Sequence, residues 1–156
     1  MEAHEQLCET FRRLHAANCF VMPNPWDVGS AKALEQMGFK ALATTSAGFA
    51  WTRGLPDNQI TLDQALEHLR QMVAAVAVPV NADFEGGFAI EPTQVAANVK
   101  LAVATGIAGL SIEDATGDAE HPLHDFELAV ARIKAARQAI DETGSCLLYT
   151  SPSPRD

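Results

Sequence analysis

Carboxylates follow two apolar segments of the sequence, at positions where they could bind a metal ion. Asp83 and Glu85 lie just beyond the apolar run VAVPV, and Gly86-Gly87 follows at once. Glu113 emerges in the same way from the apolar run IAGLSI. Carboxylates with no Cys or His among them suit a hard divalent ion, Mg²⁺ or Mn²⁺, better than zinc. Each acid alone could be a solvated loop residue, but the repeated placement favours a metal or substrate site.

Two further stretches could contribute to the same site. Ser46-Ala47-Gly48 could offer a hydroxyl and exposed backbone N–H groups to a carboxylate, or could form an ordinary small-residue turn. Asp57, in the segment GLPD, could be a site residue or a turn residue.

Several other classes of site and function are disfavoured. His121 and His124 could share one helical face, but no third nitrogen or sulfur ligand is nearby, so zinc is not predicted. The sequence contains neither GxGxxG nor GxxxxGK. A net charge of -9 argues against nucleic-acid binding. Cys8, Cys19 and Cys146 form no CxxC pair and are expected to be reduced thiols.

Helical patterns alternate with short apolar runs, and this order predicts an α/β fold. Five helices are expected: an amphipathic one over 3–16, one capped by Asp27, one opened by a Thr61–Gln64 capping box, one starting at Pro92, and one with a Phe126, Val130, Ile133 and Ile140 stripe. Strands are expected at 19–22, 39–45, 76–82 and 107–112. Runs that are apolar throughout suit parallel strands covered on both faces.

An open doubly wound sheet and a (β/α)₈ barrel both begin with this alternation. A full barrel needs about 250 residues, whereas the 156 residues supply four βα units. Residues 1–144 are therefore expected to be the N-terminal part of a barrel. Residues 145–156 are expected to start a fifth strand and run into a tail, SPSPRD, that does not look native. No signal-peptide core or membrane-spanning run is visible, so a cytoplasmic location is expected.

Four ordered blocks resemble the isocitrate lyase/phosphoenolpyruvate mutase superfamily: PNPWDVGSA (23–31), TTSAGFAWTRGLPD (44–57), PVNADFEGGF (79–88) and GLSIEDATG (109–117). The resemblance implies a (β/α)₈ barrel that binds Mg²⁺. It also implies an enzyme that makes or breaks a C–C or P–C bond beside the carbonyl of a small 2-oxo or 2-hydroxy carboxylate, through an enolate. Full-length members of the superfamily usually form homodimers or homotetramers.

The same resemblance assigns roles to individual residues. Asp83 would be the direct metal ligand and would also face the substrate. Asp57, Glu85 and Glu113 would act mainly through metal-bound water. The resemblance also implies that Asp57 and Glu113 are catalytic residues.

For the substrate carboxylate, the resemblance points to Ser46 and the backbone of Ala47 and Gly48. The lyases of the superfamily carry a Lys-Cys-Gly-His loop after the fourth strand, and this chain has ATGDAEHP at 115–122 instead. Isocitrate cleavage by the usual mechanism is therefore not expected, and His121 is the candidate substitute proton donor.

Two alternatives stay open on the sequence alone. One is a different metal-dependent aldolase or hydrolase on a similar barrel. The other is a non-catalytic α/β interaction domain whose acids are solvated. If the protein is an enzyme, its expected partner is a small oxo or dicarboxylate substrate, and neither nucleic acid nor a membrane is expected to bind. The 156 residues alone are expected to be inactive.

Overall fold

The structure, a computed structural model, describes residues 2–16, 19–145 and 148–150. Six helices and four strands form within these ranges. The helices are α1 (Glu2–Ala16), α2 (Val28–Gln36), α3 (Ser46–Thr52), α4 (Leu62–Ala75), α5 (Pro92–Val103) and α6 (Phe126–Glu142). The strands are β1 (Leu42–Ala43), β2 (Val80–Asp83), β3 (Gly109–Ser111) and β4 (Leu148–Thr150).

The four strands form one parallel sheet in the order β1-β2-β3-β4. Asn81 lies opposite Ala43 on one side and Gly109 on the other, and Asp83 lies opposite Ser111. Because the strands are parallel, their carboxyl ends meet at one edge, called the rim below. This order is that of the first units of a (β/α)₈ barrel, as predicted, and β4 lies within the expected fifth strand.

Local signals in the sequence set the helix boundaries as predicted. The Asp27 carboxylate accepts from the Ser30 N–H at 2.7 Å and begins α2. A capping box between Thr61 and Gln64 begins α4. Pro92 occupies the first turn of α5, where its missing N–H costs no helical hydrogen bond.

The main core packs α4, α5 and α6 against β2 and β3. Its fully buried side chains include Leu69, Phe84, Val95, Leu110 and Ile140. Within the described residues, no helix is long and apolar enough to cross a membrane.

Helix α1 packs against the end of the sheet opposite the rim. Cys8 and Phe11 are buried there against Ala41 and Ala108, which precede β1 and β3. A Cβ atom at Gly109 would lie 2.4 Å from both the Phe11 ring and the Asn81 side chain. Gly109 therefore permits the close approach of α1 to the sheet.

Three features differ from the sequence predictions. Residues 19–22 form no strand; Pro23 and Pro25 follow, and proline cannot donate to a sheet ladder. One backbone hydrogen bond, from Ala43 N–H to the Pro23 carbonyl at 3.1 Å, joins this segment to β1. Helix α3 was not predicted.

The buried face of α6 agrees with the predicted stripe at Ile140 but differs from it at the start of the helix. Phe126, at the start of the predicted stripe, is 64% exposed, whereas Ala129, Arg132, Ala136, Ala139 and Ile140 are buried. Small side chains let α6 lie close to α5, and a buried arginine occupies the same face.

Candidate functional site

The predicted site residues Asp83, Glu85 and Glu113 come together at the rim. Asp83 is the last residue of β2, and Glu113 follows β3 by two residues. The Glu113 N–H donates to the Glu85 carbonyl at 2.9 Å, which joins the two strand-end segments. Strand register therefore places these acids, as the sequence predicted.

The Asp83 carboxylate is held by the first residue of α3. Both the Ser46 N–H and the Ser46 hydroxyl donate to Asp83 Oδ2, each at 2.8 Å. Asp83 Oδ1 accepts from the Glu85 N–H at 3.3 Å, and the Asp83 N–H donates to Thr44 Oγ1 at 3.0 Å. These contacts fix the orientation of the carboxylate.

Ser46-Ala47-Gly48 is the first turn of α3 rather than a non-helical turn. Thr45 caps this helix, and its hydroxyl accepts from the Gly48 N–H at 3.2 Å. In the structure, the Ser46 donors bind the Asp83 carboxylate of the protein itself. Their predicted role toward a substrate carboxylate stays a prediction.

Glu85 is the most perturbed acid of the site. Its Oε1 atom is buried and has no hydrogen-bond partner. Burial, followed by the negative charges of Asp83, Asp57 and Glu113, raises the pKa of Glu85 to about 7. Burying an unpaired carboxylate is costly unless positive charge accompanies it.

Asp57 and Glu113 complete this group of four acids, called the acid cluster below: Asp57, Asp83, Glu85 and Glu113. Burial, followed by the charges of Asp83, Asp57 and Asp114, raises the pKa of Glu113. Asp57 lies on an exposed turn, where its Oδ1 accepts from the Asn58 N–H at 2.9 Å. None of the four acids forms an ion pair with a basic side chain in the described part of the chain.

The residues of the acid cluster fit a hard divalent ion. Added positive charge would offset both the burial of the unpartnered Glu85 oxygen and the mutual repulsion of the carboxylates. Oxygen donors of this kind suit Mg²⁺ or Mn²⁺. Across residues 2–16, 19–145 and 148–150, no three Asp, Glu, His or Cys side chains are arranged to chelate an ion directly.

A cavity of about 460 Å³ opens beside the acid cluster. Its lining includes Glu85 and Glu113, together with the buried side chains of His124 and Arg132. Sequence reasoning missed Arg132, because arginine on an alanine-rich helix is usually exposed. The one available signal was its place between Ala129 and Ala136 on the face that packs against α5.

The chain's two tryptophans lie together beside α3. The rings of Trp26 and Trp51 meet edge to face with centroids 5.4 Å apart, and both are about half exposed. A Cβ atom at Gly48 would lie 2.5 Å from Trp26 Cδ1. The Trp26 ring therefore lies directly against the first turn of α3.

The two histidines considered for zinc do not share a helical face. His121 lies in an irregular loop closed by an isolated bridge between Ala115 and Leu123, and His124 directly follows that bridge. His124 is buried, whereas His121 is exposed, with its Nδ1 atom 3.5 Å from Asp118 Oδ2. The structure does not bring His121 to the cavity beside the acid cluster, and its role as a proton donor stays a prediction.

Comparison with known proteins gives a family match over most of the chain. The family model described as phosphoenolpyruvate phosphomutase matches residues 11–150. An uncharacterized protein of Mycobacterium tuberculosis is 36% identical over 130 residues, covering 83% of this chain and 48% of that protein. An oxaloacetate decarboxylase of Rhodopseudomonas palustris is 30% identical, covering 86% of this chain and 52% of that protein.

Solved structures share the fold. A protein from Burkholderia cenocepacia superposes with a TM-score of 0.94 at 43% identity, covering 97% of this chain and 55% of that one. A 2,3-dimethylmalate lyase superposes with a TM-score of 0.84 at 28% identity, covering 97% and 53% respectively. The chain spans about half the length of the curated relatives it matches.

Proposed function

Because this chain belongs to the phosphoenolpyruvate phosphomutase family, within the isocitrate lyase/phosphoenolpyruvate mutase superfamily, we propose that it forms part of a divalent-metal-dependent lyase. The substrate is a small 2-oxo or 2-hydroxy carboxylate, and the bond that breaks or forms lies next to its carbonyl carbon. The metal is Mg²⁺ or Mn²⁺, and the reaction passes through an enolate. The active protein also contains the later strands of the barrel and assembles as a homodimer or homotetramer.

The acid cluster is the observation that carries this proposal. It places four carboxylates at the rim without an ion pair among the described residues, and one carboxylate oxygen is buried without a partner. A solvated surface loop would not raise the pKa of Glu85 to about 7. The cluster therefore supports cation binding better than it supports an inert surface.

The four acids have different proposed roles at the metal site. Asp83, fixed by Ser46, would hold the metal directly, and Asp57, Glu85 and Glu113 would act through its water ligands. When bound, the ion supplies the positive charge that offsets negative charge developing on the substrate oxygen. The cavity beside Glu85 and Glu113 admits a small carboxylate.

The relatives narrow the class of substrate. Their names include 2-methylisocitrate lyase, oxaloacetate decarboxylase and 2,3-dimethylmalate lyase, all of which act on small di- or tricarboxylates. This chain has ATGDAEHP at 115–122, with no cysteine or lysine there to serve as a general acid. An oxo acid such as oxaloacetate, whose cleavage needs no thiol donor, is therefore the first substrate to test.

Metal titration tests the proposal in the full-length protein that contains this chain. Asp83→Ala should abolish Mg²⁺ binding measured by calorimetry, whereas Glu85→Gln should only weaken it, because a direct anionic ligand contributes more than a water-mediated one. Glu91→Gln is the matched control, since Glu91 is exposed and makes no capping bond through its side chain. Unchanged affinity in Asp83→Ala would contradict the assignment.

The two alternatives give different outcomes in the same protein. Metal-dependent cleavage of a substrate that is not an oxo or hydroxy acid would indicate another aldolase or hydrolase. A folded full-length protein that shows no metal-dependent binding of oxalate, a mimic of the enolate, would indicate a non-catalytic interaction domain.

A further inference from the structure

The loop after Glu85 is held from behind by two buried side chains. Arg132, on α6, is 2% exposed and donates to three backbone carbonyls of this loop, those of Gly86, Ala89 and Ile90. The bond to the Ile90 carbonyl measures 2.8 Å. A guanidinium is suited to this task because its donors form a fixed, planar fork.

Asn98, on α5, holds the two carbonyls that Arg132 does not reach. Its Nδ2 atom donates to the Gly87 carbonyl at 2.9 Å and to the Phe88 carbonyl at 3.4 Å. Its Oδ1 atom accepts from Gln94 at 3.0 Å, which fixes the orientation of the amide. Five consecutive carbonyls, at residues 86–90, are therefore bound by two side chains.

The backbone of this loop requires such support. Glu85, Gly87 and Phe88 have φ values of 45°, 73° and 55°. Residues other than glycine rarely adopt this left-handed conformation, and they keep it only where the surrounding structure imposes it. The Glu85 backbone is itself held by Glu113 and Asp83. Loss of Arg132 and Asn98 would remove the support of the residues that follow it and let the left-handed segment relax.

From these contacts we infer that Arg132 and Asn98 are positioning residues, which act through the loop at residues 86–90 to hold the Glu85 carboxylate toward the bound cation. This inference rests on the proposed function for the role of the cation. The hydrogen bonds from Arg132 and Asn98 to the loop backbone do not depend on a cation. Neither side chain needs to touch the metal or the substrate.

A double-mutant cycle tests the inference in the full-length protein, with Mn²⁺ affinity measured by calorimetry and electron paramagnetic resonance. Arg132→Met keeps the length of the side chain but removes its donors, and it should weaken Mn²⁺ binding roughly 10-fold, as loss of supporting contacts does at other metal sites. In a Glu85→Gln background the same change should cause no further loss. Additive losses would contradict the inference.

Control variants separate a local effect from a general one. Arg137→Met removes another arginine of α6, one that pairs with Asp141, and should leave Mn²⁺ affinity unchanged. Arg132→Lys keeps one charged donor and should restore part of the affinity. Asn98→Ser removes two of the five hydrogen bonds to the loop carbonyls. It should give a smaller loss of Mn²⁺ affinity, and this loss should again be absent in the Glu85→Gln background.

Amide hydrogen exchange provides a readout that needs no metal. The Gly87 N–H donates to the Phe84 carbonyl at 2.8 Å, and the Glu113 N–H donates to Glu85. Exchange of these two amides should accelerate in Arg132→Met and in Asn98→Ser, while amides of α4 keep their protection. Equally accelerated amide exchange throughout α4, or loss of the fold in both variants, would contradict the inference that Arg132 and Asn98 act locally on this loop.

The outcomes also separate the two proposals. A wild-type protein that binds no Mn²⁺ would refute the proposed function, and exchange would still decide whether the loop is held. Normal Mn²⁺ binding in the wild type with unchanged affinity in both variants would refute this inference alone.

Discussion

His68 is predicted to make the folded protein sensitive to mild acid. The ring lies in α4, is 6% exposed, and stacks on Phe49 of α3 with centroids 3.9 Å apart and planes inclined by 14°. Its Nε2 atom is buried without a hydrogen-bond partner. Burial lowers the pKa of His68 from its ordinary value of 6.5 to about 4, against a weaker opposing effect of the Asp27 charge.

The sign of the pH effect follows from the lowered pKa of His68. Below pH 6.5 the unfolded chain takes up a proton on His68, whereas the folded chain does not do so until about pH 4. Stability is therefore complete above pH 6.5 and falls as the pH drops through this window. The loss is about 2 kcal/mol by about pH 5 and approaches about 3 kcal/mol near pH 4.

Urea unfolding followed by circular dichroism measures this loss. His68→Phe retains a planar ring against Phe49 but cannot take up a proton, so it should lose about 2 kcal/mol less than the wild type between about pH 7.5 and about pH 5. The difference between the two proteins removes the contribution of the carboxylates. His121→Gln, which removes an exposed imidazole, is the matched control. Equal losses of unfolding free energy in the wild type and His68→Phe would refute the reasoning. So would an NMR signal of His68 that titrates at the ordinary pKa of 6.5 in the folded protein.

Two further predictions concern the first turn of α3. Gly48→Ala should destabilise the protein by about 1–3 kcal/mol, because the new methyl group would overlap the Trp26 ring. Thermal unfolding should show a lower Tm for Gly48→Ala and a partly restored Tm when Trp26→Ala is added. An unchanged Tm in Gly48→Ala would contradict the close packing of Trp26 on α3. Ser46→Ala removes the hydroxyl that donates to Asp83 and that is predicted to bind the substrate carboxylate. If Ser46 serves binding rather than nucleophilic attack, the change should raise KM of the full-length protein more than it lowers kcat, and a covalent seryl adduct found by mass spectrometry would contradict this role.

Local signals were sufficient for most of the secondary structure. Asp27, Thr61 and Pro92 each begin a helix through contacts within the first turn, so neighbouring residues determine the outcome. Helix α3 escaped prediction because it spans only seven residues and has no acidic residue in its first turn. Its Thr45 cap could be recognised only after the fold showed where β1 ends.

The candidate site could be predicted in composition but not in its contacts. The acids of β2 and β3 meet because parallel strands end at one edge, a rule that needs no coordinates. The bond between Ser46 and Asp83 depends on the register of β1 against β2, which single-sequence patterns do not define. The burial of Arg132 depends on carbonyls more than 40 residues away in the chain.

The pairing of Trp26 and Trp51 has a spectroscopic consequence. These are the only tryptophans in the sequence, and their rings lie 5.4 Å apart beside Gly48. All tryptophan emission therefore originates from one spot near the first turn of α3, and edge-to-face rings at this separation should couple in the near-ultraviolet dichroism. The intrinsic tryptophan fluorescence of these 156 residues will thus report structural changes at Ser46 and its neighbours.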